Sequence, residues 1–354
     1  MATTFINAPL NNRPVLTSAF YSLRATTDSP KVRVEVIRDP AGESDAMFST
    51  ELYPSGNIVE FSDIGSLIET HFREKGIIWD TVEIRFNEAS IAFTVLYCDF
   101  ILDPDFDGTE TFLCASGVSE VHRNSAISLA HWDHDTDEYR IQIVGLDSQH
   151  KTAVVERTVR NKKTSYEISF SVNQIIAMAC DAEYGDCLDT VSYFAISYAS
   201  MRKIFHLVEH PFFLTFCFRN MFNATEYVDV VGTVIRKTAV DSESAFCGGN
   251  ILQYNQAVTR TYEMSTAPLT DDQVRELEQL VCSRSIKLCA GDYEYDVVIS
   301  DLSAEIDNND EGLNAMKFTF RFVNKRPLLV SSEIKALMPS DSHIFSNQFT
   351  PEFA

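Results

Sequence analysis

The sequence predicts a mainly β protein: tandem β-sandwich (Ig-like) modules with short helices, followed by a β-rich α+β C-terminal domain. Three observations carry that prediction. Apolar and polar residues alternate with period two along much of the chain, as in Lys31-Val32-Arg33-Val34-Glu35-Val36-Ile37-Arg38. Helical spacing occurs only in short stretches. A strand, a polar cap and an apolar helix follow one another twice, as NIVEFSDIGSLIE and YEISFSVNQIIAM, which sets Phe61 and Phe170 in equivalent places and suggests two tandem modules of one fold.

The elements divide the chain at 1–101, 102–208, 209–330 and 331–354. In the first module, Met47 to Tyr53 reads as a strand and Pro54-Ser55-Gly56-Asn57 as the turn after it. Ile58 to Phe61 is a short strand. Ile64, Leu67, Ile68 and Phe72 then sit at helical spacing, with Ser62 or Asp63 as N-cap and Gly76 as the stop. Ile77 to Phe86 and Ala89 to Cys98 are strands joined around Asn87-Glu88. The second module reads as strands over Ile127–Ala130, Tyr139–Gly145, Thr152–Val159 and Ser165–Ser171, a helix over Asn173–Cys180, and a strand over Val191–Ala199. The third reads as strands over Phe212–Phe218, Tyr227–Thr238, Gln253–Glu263, Ser285–Ala290, Tyr293–Ser300 and Met316–Val323. Its one helix, 270–282, opens with a capping box at Thr270 and Gln273 and carries the stripe Val274, Leu277, Leu280, Val281. Gly248-Gly249 reads as a turn in the loop between two strands. Residues 331–354 lose the alternation and read as an arm or tail.

Composition narrows the function classes. The chain has 354 residues, 45% of them hydrophobic and 23% charged, which is ordinary for a folded domain protein. Such a length buries a sizeable core without metal or disulfide. Lys and Arg number 29 against 51 Asp and Glu, a net charge of −22. That surface repels phosphate backbones and anionic headgroups, so no nucleic-acid partner is expected. The densest basic stretch, with Arg157, Arg160, Lys162 and Lys163, looks like a hairpin with a polar tip. The longest apolar run, Ile175 to Cys180, falls far short of the ~18–20 residues of a spanning helix. The N-terminus has neither a basic start nor an apolar core, so no signal peptide is expected and synthesis is cytoplasmic.

Few residues mark chemistry. No two of the eight cysteines form a Cys-x-x-Cys pair, which argues against a zinc ribbon. Cys98 and Cys217 lie in apolar alternation and read as small hydrophobes, whereas Cys180 and Cys187 bracket an acidic loop and could pair in an oxidising medium. Asp103, Asp105 and Asp107 precede Gly108 as in a calcium loop, but the twelfth position is Cys114 and not Glu, so an acidic linker is the favoured reading. His131 and His134 with Asp133, Asp135 and Asp137 offer ligand atoms, yet the two histidines would point to opposite faces of a strand, and a polar turn explains them better. No nucleophile elbow, phosphate-binding glycine loop or His-Glu-x-x-His is present, so no enzyme and no cofactor are expected.

The third block, PFFLTFCFRNMFNATEYVDVVGTVIRKT, resembles a segment of tail-tip structural proteins of tailed bacteriophages and prophages of Bacteroidales. There an apolar strand runs into an Arg-Asn or Leu-Asn pair, a short Phe-containing loop, an acidic residue and a strand ending in Gly; here these are Phe216, Phe218, Arg219, Asn220, Phe222, Glu226 and Gly232. A Gly often follows the loop's Phe in such proteins, and Asn223 takes its place. The resemblance implies a distal-tail or baseplate-type protein of the virion: a homo-oligomeric ring, trimer or hexamer, that joins the tail tube to receptor-binding parts and touches other tail proteins. Phe213, Phe216, Arg219, Asn220, Phe222 and Glu226 are the interface candidates it suggests. Phe213 and Phe216 cannot share a strand face without a bulge, so one of them is free to face a partner. The competing readings are a sugar-binding or adhesion sandwich using Trp79 and Trp132, with surface glycan contact, and a hydrolase marked by a carboxylate pair of perturbed pKa in a cleft.

Overall fold

A computed structural model of the chain describes residues 3–7, 14–19, 22–38, 45–99, 111–132, 138–160, 167–179, 188–210, 212–290, 293–305 and 314–323. The protein is mainly β. The first module comprises β1 (Thr4–Phe5), β2 (Val15–Leu16), β3 (Ser22–Thr26), β4 (Val32–Arg38), β5 (Asp45–Leu52), β6 (Ile58–Ser62), α1 (Ile64–Lys75), β7 (Trp79–Phe86) and β8 (Ala89–Leu96). The second comprises β9 (Val118–Val121), β10 (Ala126–Ala130), β11 (Glu138–Leu146), β12 (Thr152–Arg160), β13 (Glu167–Ser171), α2 (Val172–Met178), β14 (Thr190–Tyr198) and β15 (Met201–Leu207).

The two modules share one topology. Their larger sheets run β2-β8-β7-β4-β5 and β9-β15-β14-β11-β12. In each, the first strand of that order joins the last strand of the module in parallel. In each, a small second sheet pairs antiparallel across the core, and Leu23 opposite Phe61 matches Ile127 opposite Phe170. The final hairpins turn at residues with positive φ, Asn87 and Ala199. Each pair of sheets encloses its own apolar core, around Val34, Phe61, Phe72 and Ile84 in one and Ile141, Phe170, Ile175 and Phe194 in the other. Asp63 caps α1 in the left-handed conformation with no side-chain bond, and Gly76 ends it at φ 68°. Ser171 and Gln174 close a capping box on α2, which begins one residue before the sequence expectation.

The third module is a closed antiparallel barrel, which the alternation alone did not specify. It comprises β16 (Phe213–Arg219), β17 (Thr225–Cys247), β18 (Asn250–Thr266), α3 (Asp271–Cys282), β19 (Ile286–Ala290), β20 (Tyr293–Glu305) and β21 (Ala315–Phe322), with neighbours in the order β16-β17-β18-β21-β20-β19 and back to β16. Phe216, Phe218, Tyr262, Phe318 and Phe320 fill it, and Val274, Leu277 and Leu280 of α3 pack onto that core. The capping box at Thr270 is present: its hydroxyl accepts from Gln273 N at 3.3 Å and its own N donates to Gln273 Oε1 at 2.8 Å.

One expectation changes here. β17 and β18 do not stop at Thr238 and Gln253. They continue as a pair to Cys247 and Asn250, with Gly248-Gly249 (φ 59° and 89°) as a two-residue turn. The pairing of β17 with β16 ends at Val231, and that of β18 with β21 begins at Tyr262, so the remainder is a two-stranded ribbon. Arg236 lies opposite Tyr262, so the free part runs from Lys237 to Cys247, roughly 36 Å at about 3.3 Å per residue. Gly232 lies just past the end of the β16 pairing, and a Cβ there would lie 2.1 Å from the Ser265 carbonyl oxygen, so only glycine allows that approach. Among the described residues, no helix is long and apolar enough to cross a membrane.

Candidate functional site

The segment singled out in the sequence is where the three modules meet. Asn220 to Ala224 form the tight loop between β16 and β17. Asn220 Oδ1 accepts from the backbone N of Phe222 (3.0 Å) and Ala224 (3.1 Å), which fixes the loop locally. Asn220 Nδ2 donates outward to the Leu113 carbonyl of the second module (2.9 Å) and to Glu226 (3.0 Å). Asn223 holds φ at 61° and donates to the Phe72 and Ile77 carbonyls at the end of α1, both at 3.1 Å. Asn thus supplies the left-handed geometry that a glycine would, and adds two bonds to the first module. Phe222 is buried with Ile78, Leu96 and Cys98 of the first module and Leu113 and Ala130 of the second. Arg219 donates to the Asn223 carbonyl (2.9 Å), and Thr225 N donates to Glu167 of the second module (2.5 Å).

This loop yields a first prediction. Asn223→Ala removes two buried hydrogen bonds and places a Cβ-bearing residue without a polar side chain at positive φ, which together cost about 2–3 kcal/mol. Asn223→Gly loses the same bonds but keeps the backbone unstrained, and is expected to be about 1 kcal/mol less harmful. Urea unfolding of both variants checks this; equal losses would remove the conformational part of the argument.

Beside the loop lies a buried charge cluster between the second module and the barrel. Lys203 (β15) donates to Glu226 Oε1 at 3.0 Å, and its Nζ is 3.9 Å from Glu276 Oε1 of α3; all three side chains are 3% exposed. Glu226 also accepts from Ala115 N, at 3.1 Å to Oε2. Ser119 donates to Glu276, Ser116 to Asp272 of α3 at 2.9 Å, and Gln273 to Glu120 at 2.8 Å. Burial pushes the Glu276 carboxyl up to about 8, against the opposing pull of Lys203, and the Glu226 charge adds to the rise. Burial by itself would lower the Lys203 pKa; the Coulombic pull of Cys114, Glu226 and Glu276, with the hydrogen bond to Glu226, outweighs it, and the net shift is upward. Burial also raises the Cys114 thiol to about 11. With the Glu276 carboxyl raised to about 8, Lys203 meets Glu226 as its nearest partner at 3.0 Å and Glu276 at 3.9 Å. The cluster is a carboxylate pair with a perturbed pKa, yet it is enclosed between modules and does not line a cleft.

A second polar cluster fixes another part of the same boundary. Asp229 (β17) accepts from His122 N (2.8 Å), His122 Nδ1 (3.2 Å), Ser125 Oγ and Thr215 Oγ1 (2.6 Å). Phe213 stacks on the His122 ring with centroids 3.6 Å apart.

These positions correct the interface assignment suggested by the resemblance. Phe216 is barrel core, and Asn220, Phe222 and Glu226 are buried at the junction. None of the four is available to a second chain. Phe213 and Phe216 do occupy different faces, but Phe213 meets His122 of the same chain. Arg219 is the exception, with a side chain 40% exposed. Asp103, Asp105, Asp107, Asp133, His134, Asp135, Asp137, Cys180, Cys187 and the 331–354 arm lie outside the described residues. His131 is buried and bonded to the Tyr139 hydroxyl at 2.5 Å. Trp79 and Trp132 meet edge to face at 6.2 Å beside Phe222. Of the basic stretch, Arg157 donates to the Met178 carbonyl and Arg160 to Glu138. Lys203, Glu276, Asp229 and His122 were not anticipated. Their signal was present: Lys203 occupies an inward position between Met201 and Phe205, and Glu276 lies among the apolar residues of α3.

No protein-family model and no curated protein matches the chain. Among solved structures, it is similar to a chain in the tail of an empty GTA particle with C6 symmetry, at 11% identity and TM-score 0.22, covering 30% of this chain and 88% of that one. It is also similar to the calcium-binding domain CBD12 of CALX1.1, at 10% identity and TM-score 0.18 over 56% and 79% of the chains. Squid arrestin follows at 10% identity and TM-score 0.16, over 53% and 88%. Likenesses at these scores support no assignment of activity, ligand or partner.

Proposed function

We propose that the chain is a non-enzymatic structural protein of a phage tail tip, which assembles with copies of itself into a ring and connects the tail tube to receptor-binding parts. The observation that carries this reading is the β17–β18 ribbon. An isolated two-stranded ribbon is at best marginally stable in water, and this one exposes Val240, Phe246 and Ile251, with neither backbone edge paired beyond the barrel among the described residues. Segment 244–259 contains no charged residue although the chain carries −22. It is a surface through which two strongly acidic copies can meet without opposing like charges. The three modules behind it are joined by buried polar bonds, as suits a subunit that transmits force. The sequence resemblance over the β16–β17 segment supports the tail-tip setting.

Light scattering with negative-stain imaging of the same peak tests it. The expected result is a ring of three or six times 39.9 kDa. Phe246→Asp together with Ile251→Asp, on a ribbon outside every core, is expected to return the mass to that of one chain. A wild-type chain that stays monomeric at high concentration and binds sugars on a glycan array would overturn the proposal in favour of an adhesion module.

A further inference from the structure

We infer that the outer face of the second module's large sheet receives the β17–β18 ribbon of a neighbouring copy, so that the ring closes ribbon to sheet. The inference rests on the ribbon being the contact between copies, as proposed above, and it names the surface that the ribbon meets.

In that sheet Ile141, Ile143, Phe194, Ile196 and Phe205 face the core, so the residues between them face outward. Two adjacent outward rows are apolar. Val118, Ile204 and Ala195 lie side by side across β9, β15 and β14, and Tyr193, Val144 and Val154 across β14, β11 and β12. None of the six belongs to an apolar core. Val144 and Ala195 are sunk between their neighbours, whereas Val154 is 51% exposed.

The first module is an internal control, because its sheet has the same strand order. On the corresponding strands β4 and β7, the outward residues Arg33 and Glu35 form one ion pair and Glu83 and Arg85 another, each at 2.7 Å. Glu35 also lies opposite Arg85. This sandwich is therefore built with a charged outer face in one module and an apolar one in the other, and its own stability does not require the second.

The ribbon matches the apolar strip. Asp241 and Glu243 pair with Ala257 and Tyr254, so the extra residue lies on β18 and β17 stays regular. Val240 and Phe246 therefore share one side of the ribbon, with Ile251 directly opposite Phe246. That side is narrow and apolar, as sheet-on-sheet packing needs. Phe246 and Ile251 are 76% and 72% exposed, so they do not rest on the second module of their own chain. The occupant of the strip is a second copy. Arg140 and Arg202 stand in the next outward row, exposed and outside any ion pair among the described residues. Their sign suits a neighbour of net charge −22. Ribbon and strip are different surfaces of one chain, so the contact is heterologous and closes into a ring by repeated rotation.

Two measurements on the full chain test it. Val154→Asp together with Ile204→Asp, both outside every core, is expected to reduce the mass in light scattering from a ring to one chain of 39.9 kDa, with an unchanged circular dichroism spectrum. The second leaves the sheet intact: a photoreactive benzoylphenylalanine replaces Phe246, and irradiation is expected to link it to β11, β12, β14 or β15 of another copy. A wild-type ring that persists in the double variant, or a link from position 246 to any other segment, would overturn the inference and leave the ribbon reading standing. A wild-type chain that is monomeric would overturn the ribbon reading and this inference with it. The cross-link decides the matter even if the double variant does not fold.

Discussion

Lys203→Met is expected to destabilise the protein by about 3–5 kcal/mol, because it leaves the Glu226 carboxylate buried without its cation. Glu226 is sealed at 3% exposure and takes its charge-assisted bond from Lys203 at 3.0 Å. The remaining donors, Ala115 N and Asn220 Nδ2, are neutral and do not replace a full charge. The double variant Lys203→Met with Glu226→Gln removes both charges and is expected to recover most of the loss, since a neutral pair in the same space carries no uncompensated ion. The fluorescence of Trp79 and Trp132, which meet at the junction, gives a local signal for urea unfolding. A single variant as stable as the wild type would show that the cluster does not hold the second module to the barrel.

The second large effect concerns pH. Glu276 has a folded-state pKa raised to about 8 from an ordinary 4.5, chiefly by burial. Between those values the folded protein keeps a proton that the unfolded chain has released. Stability from this group is therefore full below pH 4.5 and falls as pH rises toward 8, by at most roughly 1.4 kcal/mol for each pH unit. Above pH 8 two carboxylates share one ammonium. Glu276→Gln, which mimics the protonated state, is expected to flatten this decline and to be more stable than the wild type at pH 8 by several kcal/mol. Unfolding of both proteins in urea at pH 5, 6, 7 and 8 measures the difference, in which the titration of the histidines cancels. Parallel pH profiles would mean that Glu276 is not held protonated in the fold.

Much of the architecture was legible because it is local. Alternation in Val32, Val34 and Val36 marks a strand with one buried face whatever the rest of the chain does. Thr270 with Gln273 marks a helix start through bonds that span three residues. The echo of Phe61 and Phe170 pointed to repeated modules, and the two sheets share the same strand order. Other elements were missed for physical reasons. β2 and β9 are short and are defined by parallel pairing with strands far along the chain. β15 carries Lys203 at a core-facing position, so its alternation does not read as apolar. In the ribbon beyond Thr238 no described side chain is buried, and without burial there is no selection for alternation to reveal it.

The candidate site shows the same division. The sequence by itself determined the β character, the three helices and the longer strands around them, the acidic charge balance, and that Arg219 to Glu226 form a distinct motif. Only the tertiary structure decided what that motif touches. Phe222 is equally apolar whether a neighbouring chain or the other two modules cover it, and periodicity reports burial without naming the covering surface. Lys203, Glu226 and Glu276 come from three distant segments, so their charge cluster exists only when folding brings them within 4 Å and removes water from between them.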